Sequence, residues 1–144
     1  MIRKINLNDL EKCSEILCAV YNNEVWQCRW TLDIAKEYLL DFYNANKFVG
    51  FVLELKNEVC GAIFCHEKIW WDNNELYIDE LFITPNLQGN GKGSELIKAV
   101  EEYVKEHKLA GLTLTTNSYS SAPEFYNKRG FCENKYNIFM SKIL

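Results

Sequence analysis

The stretch that decides the reading is Leu76–Lys105, LYIDELFITPNLQGNGKGSELIKAVEEYVK. It opens as a strand, because Tyr77, Ile78, Leu81, Phe82 and Ile83 are aromatic or aliphatic with little interruption. Pro85 stops it. A short loop, Asn86 to Gly93, follows and holds three of the chain's seven glycines. A helix starts near Gly91 and runs to about His107, with Leu96, Ala99, Val100, Tyr103 and Val104 on its apolar stripe. A strand, a glycine loop and a helix together build an anion site. The loop amides and the first helical turn have no internal partners, and glycine lets the backbone approach a phosphate.

Two common phosphate loops fail on spacing. A P-loop needs G-x-x-x-x-G-K followed by Ser or Thr, but Lys92 is followed by Gly93, and Asn86 or Leu87 stands where the first glycine belongs. A dinucleotide fingerprint needs G-x-G-x-x-G, whereas Gly89, Gly91 and Gly93 make G-x-G-x-G. The pattern that fits is Gln/Arg-x-x-Gly-x-Gly/Ala, matched by Gln88, Gly91 and Gly93. Further on, Ala122-Pro123-Glu124-Phe125-Tyr126-Asn127-Lys128-Arg129-Gly130-Phe131 matches A-x-x-F-Y-x-K-x-G-F, one helix and one strand later. On these two signatures the chain resembles the GNAT superfamily of N-acetyltransferases, well from Leu53 onward and in outline before it.

Size and composition agree with that resemblance. The 144 residues suggest one domain spanning 1–144, and 48% hydrophobic residues allow a sizeable core. No stretch approaches the ~20 apolar residues of a membrane span, and MIRKINLNDLEK lacks the apolar run of a signal peptide. The six cysteines form no C-x-x-C pair and several lie in apolar runs, which favours reduced, buried thiols and a cytoplasmic location. The two histidines have no metal-ligand spacing, so no metal is expected. A net charge of −4 argues against nucleic acid and suits a cationic substrate.

Periodicity gives the remaining elements. Ile2–Asn6 alternates as a strand, and Asn8 with Glu11 reads as a capping box before a helix with Leu10, Cys13, Ile16, Leu17 and Val20 inward. Tyr21–Trp30 reads as a loop, and Thr31 caps a helix carrying Ile34, Ala35, Tyr38, Leu39 and Phe42. Phe48–Leu55 and Val59–Trp70 are strands joined by a tight turn at Lys56-Asn57-Glu58, and Gly61 marks a bulge. Leu112–Thr116 is a strand, Ser120 or Ser121 caps a short helix through Lys128, and Phe131–Ile143 supplies one or two closing strands. The expected fold is α/β: a GNAT-like mixed, mostly antiparallel central sheet of six or seven strands with about four flanking helices.

The resemblance implies acetyl-CoA as cosubstrate, transfer of its acetyl group to a primary amine, and direct attack without an acyl-enzyme. By that carry-over Tyr126 is the general acid. The base is a carboxylate of the central strand, Glu80 or, as the alternative, Asp79. Backbone groups of Leu81, Phe82 and Ile83 hold the pantetheine arm and the carbonyl oxygen. Gln88, Gly89, Asn90, Gly91, Lys92, Gly93 and Ser94 hold the pyrophosphate. Gly89 stands where many relatives carry Arg or Lys, and Tyr119 stands where many carry Asn, so Asn117 is the nearest residue for that contact. Trp26, Trp30, Trp70 and Trp71 fall in two segments, beside Glu24, Asp72 and Glu75, and are expected to line the acceptor pocket and hold a cationic amine by cation–π and charge contacts. The partner is then a small-molecule or peptide amine, polyamine- or aminoglycoside-like or a protein amine, with no nucleic acid and no membrane. The resemblance is compatible with a homodimer. The rival reading is a catalytically silent CoA-binding sensor or interaction module.

Overall fold

The computed structural model describes all residues 1–144. Five strands form one sheet in the order β1-β2-β3-β4-β5: β1 (Ile2–Lys4), β2 (Phe48–Leu55), β3 (Glu58–Lys68), β4 (Glu75–Ile83) and β5 (Leu112–Leu114). The first four run antiparallel, and β5 joins β4 in parallel. Four helices complete the fold: α1 (Leu10–Tyr21), α2 (Leu32–Asn44), α3 (Lys92–Glu106) and α4 (Ala122–Asn127). Parallel pairing demands a crossover connection, and α3 supplies it.

The sheet is covered on both faces. Leu10, Cys13, Ile16, Leu17, Ala35 and Leu39 from α1 and α2 pack with Val52, Ala62, Phe64 and Phe82 on one face. Leu96, Ile97 and Val100 from α3 pack with Leu53, Ile63, Cys65, Leu76 and Ile78 on the other. Phe125, Tyr126 and Phe131 extend this second cluster.

Local chemistry explains the element ends. Thr31 caps α2 through Oγ1, which accepts the Ile34 N–H at 3.2 Å. The capping box before α1 is formed by Asn6 and Asp9 rather than by Asn8 and Glu11. Asn6 Oδ1 accepts from Asn8 N–H, Asp9 accepts the Asn6 N–H at 2.8 Å, and Arg3 grips Asp9 from the side. Asn6 and Asp9 have the same three-residue spacing as Asn8 and Glu11, two residues earlier in the chain. The β2–β3 turn is tight because Lys56 and Asn57 both adopt positive φ, 51° and 65°. Leu53 faces Gly61 and Glu54 faces Val59, so Cys60 is the bulged residue beside Gly61. A Cβ on Gly61 would lie 2.9 Å from the Phe82 carbonyl oxygen and 2.5 Å from the Ile83 side chain, so the two strands approach too closely there for any other residue.

The sheet has five strands, not six or seven. The closing strands expected in Phe131–Ile143 are absent, and no strand follows α4. A strand needs an edge to pair with, which is a non-local condition that alternation and β-propensity do not report. The cysteines are also less uniform than expected. All six are free; Cys13 and Cys65 are buried, Cys18, Cys28 and Cys60 are partly covered, and Cys132 is exposed.

Candidate active site

The site grows out of an irregularity in β4. Phe64 pairs with Glu80 and Cys65 with Ile78, which leaves Asp79 as an extra residue. In a regular strand Asp79 and Glu80 would point to opposite faces. The bulge cancels that alternation, and both carboxylates line the same cleft. The parallel pairing with β5 also ends at Ile78. From Asp79 to Ile83, β4 has no strand on its β5 side, so a row of backbone groups there is open to an extended ligand.

Glu80 is held firmly. Tyr38 donates its hydroxyl to Glu80 Oε1 at 2.6 Å, and Tyr21 donates to Oε2 at 3.0 Å. Burial pushes the Glu80 carboxyl above the usual carboxylate range. The two hydroxyls oppose that rise, and the neighbouring Asp79 charge adds to it. Asp79 also lies above its ordinary value through burial, with His66 pulling the other way. Its Oδ2 sits 2.7 Å from His66 Nδ1. The phenols of Tyr21 and Tyr38 are pushed far up, first by burial and then by the Glu80 charge, so both stay protonated as donors.

Tyr126 faces the same cleft from α4, a volume of about 370 Å³ whose lining also includes Trp26, Trp30, Leu114, Asn117 and Ala122. Its ring packs edge-on between Phe125 and Phe131, at 5.1 and 5.2 Å. Burial, and next the charge of Glu80, raises its phenol well above the ordinary range. Asp79 and Glu80 are the only charged residues in the lining. Trp26 packs edge-on against Tyr21 at 5.1 Å, and Trp30 packs tilted against Tyr38 at 4.9 Å, so each tryptophan braces one of the tyrosines that hold Glu80. Trp70 and Trp71 are elsewhere. With Glu67, Asp72 and His107 they border a separate hollow of about 410 Å³ beside the β3–β4 turn.

The glycine loop is built for close approach. Gly89 and Gly91 have φ of 77° and 75°, a left-handed backbone, and a Cβ on either would meet nothing within 4 Å. Gly91 is the N-cap of α3, so the free amides of the first turn open onto this empty space. Gln88 Nε2 donates to the Ile83 carbonyl at 3.0 Å and ties the loop to the end of β4. Asn90 braces the loop by donating to Gln88 O at 3.2 Å, and Lys92 pairs with Glu95 at 2.8 Å. Gly93 has a different role. A Cβ there would press on the Phe125 ring at 2.9 Å. Arg129 lies over that ring, 3.6 Å from its centroid, and donates from Nε to Ser94 Oγ at 2.8 Å. The two sequence signatures are thus clamped together. Asn117 lies at the cleft and folds its own turn, accepting the Tyr119 N–H at 2.9 Å, while Tyr119 is 97% exposed.

Of the residues singled out from sequence, Asp79, Glu80, Leu81, Asn117, Tyr126, Trp26 and Trp30 come together in one cleft. Phe82 and Ile83 turn their side chains into the core. The structure adds Tyr21, Tyr38 and His66. Tyr38 occupies an ordinary apolar-stripe position and His66 lacks any motif, so neither carries a sequence signal of its own. Tyr21 sits in the segment read as an acceptor loop, but its bond to Glu80 spans 59 residues.

Comparison with known proteins agrees with the fold. The model of the Acetyltransferase (GNAT) family matches residues 10–131. No curated protein is similar enough in sequence to be matched. Among solved structures, an aminoglycoside acetyltransferase from an uncultured soil metagenomic sample, in complex with sisomicin, is 21% identical with a TM-score of 0.77, covering 100% of this chain and 95% of that one. A possible acetyltransferase from Clostridium difficile 630 is 16% identical with a TM-score of 0.83, covering 100% and 97%. A transcriptional regulator from Bacillus halodurans C-125 is 18% identical with a TM-score of 0.80, covering 99% of both chains. With the glycine loop, the splayed β4 and the second signature in one structure and the family model matched over most of its length, this chain belongs to the GNAT family of acetyltransferases.

Proposed function

We propose that the protein transfers the acetyl group of acetyl-CoA to a primary amine of a cationic small molecule. The observation that carries the reading is the shared cleft: a carboxylate gripped by two tyrosines, a third tyrosine on the facing helix, and an open strand edge between them. The residues also fit the cosubstrate. Gly89 and Gly91 leave room for a pyrophosphate against the first turn of α3, and the free edge of Asp79–Ile83 suits the amides of a pantetheine arm.

Acetyl-CoA supplies the acyl group as a thioester; this chain's residues do the rest. An amine arrives as an ammonium, and Asp79 and Glu80, with no cation among the lining residues, attract it. Glu80 then takes the proton. Its carboxyl lies above the usual range, which brings it closer to neutrality and makes it a better base than a surface carboxylate. Asp79, engaged with His66, holds charge beside it. A backbone N–H of Leu81 or Phe82 stabilises the carbonyl oxygen as negative charge develops on it. As the amine nitrogen bonds the carbonyl carbon and the carbon–sulfur bond breaks, Tyr126, kept protonated by its surroundings, gives its proton to the departing sulfur and regains one from the acetylated nitrogen.

The test is titration calorimetry with acetyl-CoA followed by turnover on a panel of amines. The reading expects micromolar acetyl-CoA binding and turnover on polyamines or aminoglycosides before neutral amines. Binding without turnover on any amine would favour a sensor, and no binding would remove the loop assignment.

A further inference from the structure

The cleft holds two carboxylates, and their oxygens are not equally engaged. Glu80 accepts a tyrosine hydroxyl on each oxygen. Asp79 is bonded to His66 through Oδ2 alone, and its Oδ1 makes no hydrogen bond within the chain. We propose that His66 is a positioning residue for the acceptor: it fixes Asp79 so that Oδ1 faces the cleft and holds the ammonium there, while Glu80 is left to take the proton. The role rests on the cleft being an amine site.

Strand register brings His66 to this place. Ala62, Phe64 and His66 alternate along β3 and share the face covered by α1 and α2. Ala62 and Phe64 are sealed in the core, and His66 is the first polar residue of that row. Across from it, the β4 bulge inserts Asp79 between Ile78 and Glu80. A regular β4 would turn Asp79 to the α3 side, away from both His66 and Glu80. The irregularity that gathers the two acids therefore also gives one of them its imidazole.

The contact fixes a direction. An ionised carboxylate has no proton to give, so His66 Nδ1 carries the hydrogen and donates it across 2.7 Å. The His66 ring leans on Tyr77, 5.5 Å between centroids, which limits its rotation. Only 9% of the Asp79 side chain is exposed. No fully buried side-chain nitrogen or oxygen lacks a partner, so Oδ1 touches open space, and the space that Asp79 lines is the cleft. His66 is not in that lining and acts through Asp79 rather than on the substrate. An ammonium brings three N–H donors, so one can bond Oδ1 while another proton passes to Glu80. Burial opposes the Asp79 charge and His66 supports it. Without the imidazole, Asp79 would be looser and nearer to neutral, and both changes weaken its hold on a cation.

Calorimetry of spermidine against protein saturated with CoA reads the anchor without turnover, and steady-state rates read the chemistry. His66→Phe keeps a ring against Tyr77 and removes the donor. Spermidine should then bind about 10-fold more weakly and KM should rise to match, with kcat changed less than about twofold. His66→Asn returns an N–H near the Nδ1 position and should recover most of the affinity. Asp79→Asn should lose as much as His66→Phe, and the double variant no more than Asp79→Asn alone, because His66 works through Asp79. CoA should bind every variant as it binds the parent. Equal spermidine affinity in the parent and His66→Phe overturns the proposal, as does a parent that binds no spermidine. Additive losses in the double variant overturn it, and so does a His66→Asn protein as weak as His66→Phe. A kcat that falls with the affinity would place His66 in the chemistry instead, and loss of CoA binding in His66→Phe would make it a folding residue; either overturns the positioning role. The expected pattern of affinities in a protein that acetylates no amine would support the anchor and remove the transferase reading.

Discussion

Replacing Tyr38 by phenylalanine removes one hydroxyl from the site and leaves the ring that packs on Trp30 and Phe42. The lost contact is the shorter of the two on Glu80, 2.6 Å against 3.0 Å for Tyr21. A 2.6 Å O–H···O distance is that of a charge-assisted bond, and such bonds contribute about 1.5–3 kcal/mol. Tyr38 bonds the ionised form of Glu80, so its removal raises the proton affinity of that carboxylate. At 1.4 kcal/mol per factor of ten, the rise is ~10- to 100-fold. Burial already holds the Glu80 carboxyl above its usual range, and the variant moves it further in the same direction. The assay is kcat/KM for acetyl transfer as a function of pH. On the acidic limb the Tyr38→Phe enzyme should be slower by about that factor, with the limb displaced toward neutral pH and the plateau less affected. Tyr21→Phe should act the same way and less strongly. An acidic limb that superimposes on the parent's, or moves to lower pH, would refute the assignment of Glu80 as the titrating base.

Other outcomes test other parts of the structure. Gly91→Glu has space for its side chain but sets a negative charge against the α3 amides, so acetyl-CoA affinity by calorimetry should fall at least ~100-fold, about 3 kcal/mol; unchanged affinity would contradict the loop assignment. Gly61→Ala drives a methyl onto the Phe82 carbonyl and should cost roughly 1–3 kcal/mol in urea denaturation. Arg3→Met leaves Asp9, 6% exposed, without its two guanidinium contacts at 2.8 and 2.9 Å, and should cost about 2–4 kcal/mol. Burial alone would raise the Asp9 carboxyl, but Arg3 and the Asn6 amide outweigh it and hold it low, so this stabilisation is present at neutral pH and lost as pH falls through the lowered value. Glu80 has the opposite sign. Its folded carboxyl binds a proton more tightly than the unfolded one, so parent stability falls as pH rises between the ordinary and the raised value, and Glu80→Gln should lose that part of the slope.

The loop and the helices are legible in the sequence because their causes are local. The left-handed backbone at Gly89 and Gly91, the Thr31 cap and the positive-φ turn at Lys56-Asn57 each depend on a few neighbouring residues. The second signature is legible as a pattern, but its physical reason is not. Gly93 accommodates Phe125, 32 positions later, and Arg129 reaches back to Ser94. What the sequence hides is register. The bulge that turns Asp79 and Glu80 to one face is set by how β4 pairs with β3, and the near-continuous apolar letters on either side of the two acids do not report it. The tyrosines that hold Glu80 come from two helices more than 40 residues away. Strand signals after Phe131 are equally real as composition, yet the chain forms no strand there, because pairing is a non-local condition that composition does not report. The tryptophans divide for a similar reason. Trp26 and Trp30 follow α1 toward the cleft, while Trp70 and Trp71 sit at the far turn of β3.

The central claim is that Glu80 removes the proton from the acceptor amine. Its most direct test is the rate of acetyl transfer to one active amine, measured across pH for the parent and for Glu80→Gln at saturating acetyl-CoA. The account predicts a fall in kcat of ~10²–10⁴ and the disappearance of the acidic limb. A Glu80→Gln enzyme that keeps both its rate and its acidic limb would contradict the account and transfer the role to Asp79 or to solvent.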